Sequence, residues 1–306
     1  MPDLIIIAGP TAIGKTALAI DIAQAYNTEI ISADSRQIYQ ELVVGVARPS
    51  AAQLEQVKHH FIGSISIKQP YNAGLFAKDA ETLLAGLFQN HRVVVLAGGS
   101  GLYIQALMGG LDRFPQVSEA TRQKWIRIHK EHGVDFLANA LQKDDPDYYA
   151  VVDKKNPQRM MRALEIVETS GKPYSSFLNQ LSPTKKSYNV IPIVLEMPRS
   201  LLYERINARV HDMMQAGLVE EVKSLSIYRD HPALNTVGYK EVFEVFDGEK
   251  TLGTAVSEIQ QHTRNYAKRQ STWFNKYLTG PRFNPEQKDN ILAYLKKQIH
   301  DKDHLD

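Results

Sequence analysis

The residues best suited to chemistry lie close to the start of the sequence. Gly9-Pro10-Thr11-Ala12-Ile13-Gly14-Lys15-Thr16 reads as glycine, four residues, then glycine, lysine and a hydroxyl side chain. Such glycines let backbone N–H groups close around a phosphate. Lys15 adds a mobile positive charge, and the Thr16 hydroxyl can hold a magnesium ion. A second group, Asp34-Ser35-Arg36-Gln37, follows an apolar run at 29–33. Asp34 suits a general base or a metal ligand there; the alternative is a cap on a solvated turn. A third group, Gly98-Gly99-Ser100-Gly101-Leu102-Tyr103, allows another close backbone approach to a ligand, or forms a tight turn capped by serine.

Cationic side chains recur further along. Arg159 and Arg162 are three apart in Gln158-Arg159-Met160-Met161-Arg162 and share a helix face. They suit phosphate contacts or pairing with Glu165 and Glu168. Arg205 and Arg209 share a face too, and either fits a phosphate or a surface ion pair. Between 264 and 285 stand five basic residues, Arg264, Lys268, Arg269, Lys276 and Arg282, and no acidic one. Tyr266, Trp273, Phe274 and Tyr277 are interleaved with them. Basic groups neutralise backbone phosphates and aromatic faces stack on unpaired bases. The competing reading is an amphipathic helix, with Trp273 in the core.

These groups need elements to place them. The apolar run 4–8 predicts a buried strand leading into the glycine-rich loop, and 17–26 predicts the helix leading out. Strands are also expected at 29–33, 60–67, 92–97 and 190–195, with helices at 76–88 and from 102 to 108. Strand–helix alternation implies a mostly parallel sheet flanked by helices, with ligands at the carboxyl ends of its strands. The stretch from 111 to 187 breaks that alternation. Its helical patterns at 120–132, 135–141 and 157–170 read as a helical insertion. The expected division is 1–112, 113–187 and 188–306. Helices resume at 201–215, 219–228 and 254–277, followed by a short charged helix and a loose tail at 287–306. The strand 92–97 ends in Ala97-Gly98-Gly99, without the aspartate that usually accompanies a nucleotide triphosphate loop.

Composition narrows the class. The 306 residues are 43% hydrophobic and 23% charged, ordinary values for a folded globular chain. A net charge of +2 argues against a uniformly basic nucleic-acid binder, so local charge matters more. The sequence contains no cysteine, which excludes disulfides and thiolate zinc sites. No signal-like start and no membrane-length apolar run are evident, so a cytoplasmic protein is expected. His59 and His60 point to opposite faces of a strand and do not form a metal pair.

Taken together, the motifs resemble the tRNA dimethylallyltransferase (isopentenyltransferase) family. The resemblance rests on Gly9 to Thr16, Asp34-Ser35-Arg36-Gln37 with Tyr39, Gly45-Val46-Ala47-Arg48-Pro49-Ser50, Tyr71-Asn72-Ala73-Gly74, Gly98 to Tyr103, Gln158 to Glu165, Gly238-Tyr239-Lys240-Glu241 and Arg264 to Trp273, in that order. The phosphate loop alone is shared by many families; the ordered set is specific. Ser100 replaces a usual threonine, Gly45-Val46-Ala47-Arg48 a usual glycine-threonine-alanine-lysine, and Asn156 a frequent aspartate. Without cysteine, the chain resembles the bacterial form, which lacks a zinc finger.

The resemblance implies an α/β fold of P-loop type with a helical insertion that binds tRNA. It implies transfer of a dimethylallyl group from dimethylallyl diphosphate to N6 of the adenine 3′ of the tRNA anticodon, with Mg²⁺. Gly9 to Thr16 and Arg209 would hold the diphosphate, with Lys15 and Thr16 stabilising its developing charge. Asp34 would accept the amine proton. Asp34, Ser35, Arg36, Gln37, Ser100, Arg122 and Gln158 to Arg162 are implied tRNA contacts, joined by Lys268 and Arg269. The protein is expected to act as a monomer on the anticodon stem-loop. Three other readings share parts of the pattern: a small-molecule kinase, a non-catalytic RNA-binding NTPase switch, and a prenyltransferase of free adenine nucleotides.

Overall fold

The structure is a computed structural model that describes residues 1–112, 114–178, 180 and 186–300. The chain divides into two compact units, one formed by 1–108 and 185–306 and the other by 109–184.

The first unit opens with β1 (Asp3–Ala8), whose six residues are all buried. It continues through α1 (Lys15–Ala25), β2 (Ile30–Ser32), α2 (Ala51–Gln56), β3 (His59–His60), α3 (Ala73–Leu87), β4 (Val93–Gly98) and α4 (Gly101–Gly109). The chain of the first unit resumes with β5 (Asn189–Leu195), after three helices of the second unit: α5 (Glu119–Asp144), α6 (Pro146–Val151) and α7 (Pro157–Ser170). Then come α8 (Arg199–Gln215), α9 (Leu218–Ser224), α10 (Tyr239–Phe246), α11 (Leu252–Tyr277), β6 (Arg282–Phe283) and α12 (Lys288–His300).

All six strands are parallel, in the order β3-β2-β4-β1-β5-β6. β1 is therefore central, in register with both neighbours: Ile5 faces Val95 on β4 and Ile191 on β5. Apolar runs such as Ile5-Ile6-Ile7 and Val93-Val94-Val95 are buried on both faces, which explains their lack of alternation. This topology matters for function because parallel strands present all their carboxyl ends on one edge. Gly9 leaves β1 there, Gly98 ends β4 beside it, and the segment after Ser32 leaves β2 one strand further out. α1 and α12 pack on one face through Leu18, Ile22, Ile291 and Leu295. A second core, with Ile38, Leu42, Leu218, Tyr239 and Val242, lies under α9 and α10.

The expected strand over 60–67 is shorter in the structure, where His59–His60 pairs with β2 and Ile65 makes an isolated bridge to Tyr39. Phe61 and Gly63 take left-handed conformations, with φ of 61° and 55°, which a strand cannot continue through. Residues 63–65 instead bond to the backbone of Gln37 and Ile38, and the alternating apolar pattern reflects that packing. The helix expected over 219–228 stops at Ser224 and gives way to a 3-10 turn, Ser226–Tyr228. The expected charged helix is present as α12, and the tail beyond 300 lies outside the described residues.

In the second unit, α5, α6 and α7 enclose Trp125, Leu137, Leu141, Met160, Ala163 and Leu164. α5 breaks at Gly133, whose φ of 76° separates two helical segments. Asn156 caps α7 by accepting from the Arg159 N–H, as the proline after it anticipates. Among the described residues no helix is long and apolar enough to cross a membrane.

Candidate active site

The loop between β1 and α1 is built to receive an anion. Gly14 has φ of 106°, a conformation that suits glycine, and Ala12 at 64° is an uncommon left-handed non-glycine residue at the loop's apex. Among the described residues no side chain caps the start of α1, so a cap does not take up its first N–H groups. The Lys15 amine donates to the carbonyls of Gly9 at 2.9 Å and Pro10 at 2.8 Å. Burial, and then the positive charge of Arg209, pull its pKa from 10.5 down to about 7, against the opposing pull of Asp34. Arg209 reaches Thr11 Oγ1 at 3.4 Å, so it stands over the loop. Arg205 is otherwise engaged, with Glu286 at 3.1 Å and the Ile13 carbonyl at 3.4 Å. That separates the two arginines that spacing alone left equivalent.

Beside the loop lies the glycine turn after β4. A Cβ on Gly98 would sit 2.2 Å from the Ala33 carbonyl oxygen, so glycine is required for β2 and β4 to close together here. Ser100 Oγ accepts from the Ser35 N–H at 2.9 Å and donates to Ser35 Oγ at 3.2 Å, joining the second and third groups of the sequence. Asp34 Oδ1 accepts from the N–H groups of Arg36 at 2.9 Å and Gln37 at 3.2 Å. The capping and catalytic readings of Asp34 are thus compatible, because Oδ2 has no hydrogen-bond partner among the described residues. The Gln37 amide is taken up by the carbonyls of Val46 at 3.2 Å and Ala47 at 3.0 Å.

Two residues that the sequence did not single out hold this arrangement. Gln270, on α11, accepts from the Thr11 N–H at 2.9 Å and donates to the Gly99 carbonyl at 2.8 Å. It bridges the phosphate loop and the glycine turn. Glu221, on α9, accepts from the N–H groups of Val43, Val44 and Gly45 at 2.7–3.0 Å and from the Tyr239 hydroxyl at 2.6 Å. It fixes the segment that carries Val46 and Ala47. Neither has a local signal, since both act across long sequence separations.

Two cavities open on this edge of the first unit. One, of about 220 Å³, is walled by Lys15, Thr16, Gly98, Gly99 and Gln270. The other, of about 540 Å³, is walled by Ser35, Arg36, Val210, His262 and Arg269. Thr11, Asp34, Val46, Ala47, Arg209 and Tyr266 line both. Asp34 and Arg209 therefore stand where the cavity beside the glycine-rich loop meets a larger one. Burial pushes the Tyr266 hydroxyl up to about 12, so it stays protonated and available as a donor.

The remaining expected residues fall into two groups. Lys268 and Arg269 are exposed on α11, with Arg269 over the Tyr266 ring at 5.7 Å. Trp273 is half-buried and packs on Gly101, where a Cβ would come within 2.4 Å of its ring. In the second unit, Gln158 and Arg159 are exposed and Met161 is half-buried. Arg122 pairs with Glu119 at 3.4 Å. Arg162 lies 3.4 Å from Glu165 and over the Phe114 ring at 5.8 Å. Met160 is fully buried in that unit's core, which corrects its expected tRNA contact: it packs the helix that carries its neighbours.

Comparison with known proteins identifies the family. The pattern of the family described as IPP transferase matches residues 37–277. A tRNA dimethylallyltransferase of Christiangramia forsetii is 48% identical over 97% of this chain and 98% of its own length. A tRNA dimethylallyltransferase 1 of Bacteroides thetaiotaomicron is 43% identical over 97% and 96%. Among solved structures, the full-length tRNA isopentenylpyrophosphate transferase of Bacillus halodurans superposes with a TM-score of 0.73 at 31% identity, covering 100% of this chain and 99% of that one. A eukaryotic dimethylallyltransferase acting on tRNA gives 0.72 at 25% identity, over 90% of this chain and 70% of its own. The fold is thus of P-loop type, and with the family pattern spanning most of its length the chain belongs to the IPP transferase family.

Proposed function

We propose that this chain transfers a dimethylallyl group from dimethylallyl diphosphate to N6 of the adenine 3′-adjacent to the anticodon of tRNA, releasing diphosphate. The observation that carries the reading is the position of Asp34 and Arg209 on the shared wall of the two cavities. One cavity has the loop amides, Lys15 and Thr16 for the leaving diphosphate. The other has room for the acceptor.

In this reading the adenine amine attacks the allylic carbon. The N–C bond forms, the C–O bond to diphosphate breaks, and Asp34 takes the proton released from nitrogen. Negative charge grows on the departing oxygen, where loop N–H groups, Lys15 and Arg209 face it. The residues present fit Mg²⁺: Thr16 offers a hydroxyl with no hydrogen-bond partner among the described residues, at the wall of the smaller cavity. Thr16 would hold the ion together with phosphate oxygens, and the ion would neutralise diphosphate charge. A kinase reading lacks a carboxylate at the end of β4, and a free-nucleotide acceptor gives no role to the exposed cations of α7 and α11. Ser35, Arg36, Ser100, Lys268, Arg269, Arg122, Gln158, Arg159 and Arg162 are the proposed tRNA contacts.

The lack of cysteine suits the cytoplasm. The test is Asp34→Asn. Turnover should fall by about 10²–10⁴-fold while both substrates still bind. Retained turnover at saturation, with weakened Mg²⁺ or diphosphate affinity, would make Asp34 a metal-site residue.

A further inference from the structure

The larger cavity is lined by a hydrogen-bonded glutamate–histidine pair that the proposed chemistry does not use. Glu241, near the start of α10, is 2% exposed. Its Oε2 accepts from the Gly238 N–H at 2.7 Å, which is enough to cap the helix. Its Oε1 lies 2.6 Å from Nδ1 of His262 on α11. A carboxylate only accepts, so Nδ1 carries the hydrogen and the ring is held in one orientation. His262 Nε2 makes no hydrogen bond among the described residues, and the half-exposed ring forms part of the wall of the cavity that Asp34 also lines. Burying a carboxylate is costly unless both oxygens are satisfied. Here the second oxygen serves to aim an imidazole into a substrate space, not to complete the cap.

We propose that His262 is a specificity residue, contacting through Nε2 the base of a nucleotide that flanks the target adenine; this rests on the RNA-acceptor reading above. Three observations favour a nucleotide over the prenyl chain. The cavity, at about 540 Å³, belongs to the size class that holds whole ligands of about 300–1,000 Å³, larger than one base needs. Its wall sets the polar Thr236, Thr263 and Asn265 beside the apolar Val237 and Ile259, a mixed lining that suits the polar edge and apolar faces of a base. Finally, unpaired RNA bases are recognised by hydrogen bonds on their edges and by stacking, and an imidazole offers both.

The experiment uses the whole protein, dimethylallyl diphosphate and an anticodon stem-loop hairpin. His262→Ala should raise the hairpin KM about five- to tenfold, the factor for one lost hydrogen bond, with kcat and the donor KM within about twofold. His262→Gln keeps a polar edge and should recover part of the loss, which a merely structural role would not do. Hairpins lacking one flanking base should show the same rise with wild-type protein and none beyond it with His262→Ala. Hairpin KM unchanged in both variants, or a change in donor KM instead, would overturn the proposal. Failure of the wild-type protein to modify any hairpin would remove the RNA-acceptor reading itself, and this inference with it.

Discussion

Lys15 offers the sharpest quantitative prediction. Its amine is buried among loop carbonyls, and its pKa falls from 10.5 to about 7. That corresponds to about 5 kcal/mol disfavouring the ammonium in the free protein. A diphosphate brought into the loop reverses the balance, since an adjacent anion favours the charged amine. Between about pH 7 and the higher pKa of the complex, binding must therefore take up a proton at Lys15. Affinity for dimethylallyl diphosphate should fall as pH rises above about 7, by up to about tenfold per pH unit, and should not depend on this group well below pH 7. At pH 8 binding should be accompanied by net proton uptake at this site. Titration calorimetry in buffers of different ionisation enthalpy reads this uptake directly. Lys15→Met should abolish the uptake and lower turnover. Equal uptake in wild type and variant, or none in either, would refute the assignment of the site to this lysine.

Other consequences concern the residues that hold the site together. Gln270→Ala leaves the Thr11 N–H and Gly99 carbonyl without their partner; kcat should fall at least about tenfold, with a stability loss of about 1–3 kcal/mol in urea unfolding. A full-activity variant would show that the two loops are positioned without it. Glu221→Ala removes the acceptor for three backbone N–H groups and the Tyr239 hydroxyl. About 2–3 kcal/mol should be lost in the same assay, with Tyr239→Phe costing less, about 1 kcal/mol. An unchanged urea midpoint for Glu221→Ala would contradict the role given to that carboxylate.

The parts of the site legible in the sequence were those fixed by neighbouring residues or by fold-wide rules. Gly9 to Thr16 fold as they read because strand, turn and helix follow one another directly. Asp34 was placed by the rule that parallel strands present their carboxyl ends together, and the missing aspartate after β4 is visible in the chain itself. What escaped were contacts between distant positions. Gln270 meets Thr11 from 259 residues away, and no periodicity marks it apart from its neighbours on α11. Glu221 has an acidic neighbour on α9, Glu220, yet Glu221 is the one that reaches the backbone of 43–45. The alternation at 60–67 mimics a strand because Phe61 and Ile65 pack against the core around Ile38 and Leu42, while the left-handed Phe61 and Gly63 turn the chain. Met160 and Arg159 are adjacent in one motif, but helical geometry buries one and exposes the other.

The central claim is that the Gly9 to Thr16 loop serves a diphosphate leaving group and that the acceptor is an adenine amine in RNA. The direct measurement is incubation of the purified protein with labelled dimethylallyl diphosphate, Mg²⁺ and bulk tRNA, without ATP, followed by digestion to nucleosides and mass analysis. The expected product is an adenosine carrying the five-carbon group on N6, with one diphosphate released per transfer. Product that forms only when ATP is present and hydrolysed, or label that never reaches adenosine, would contradict that claim.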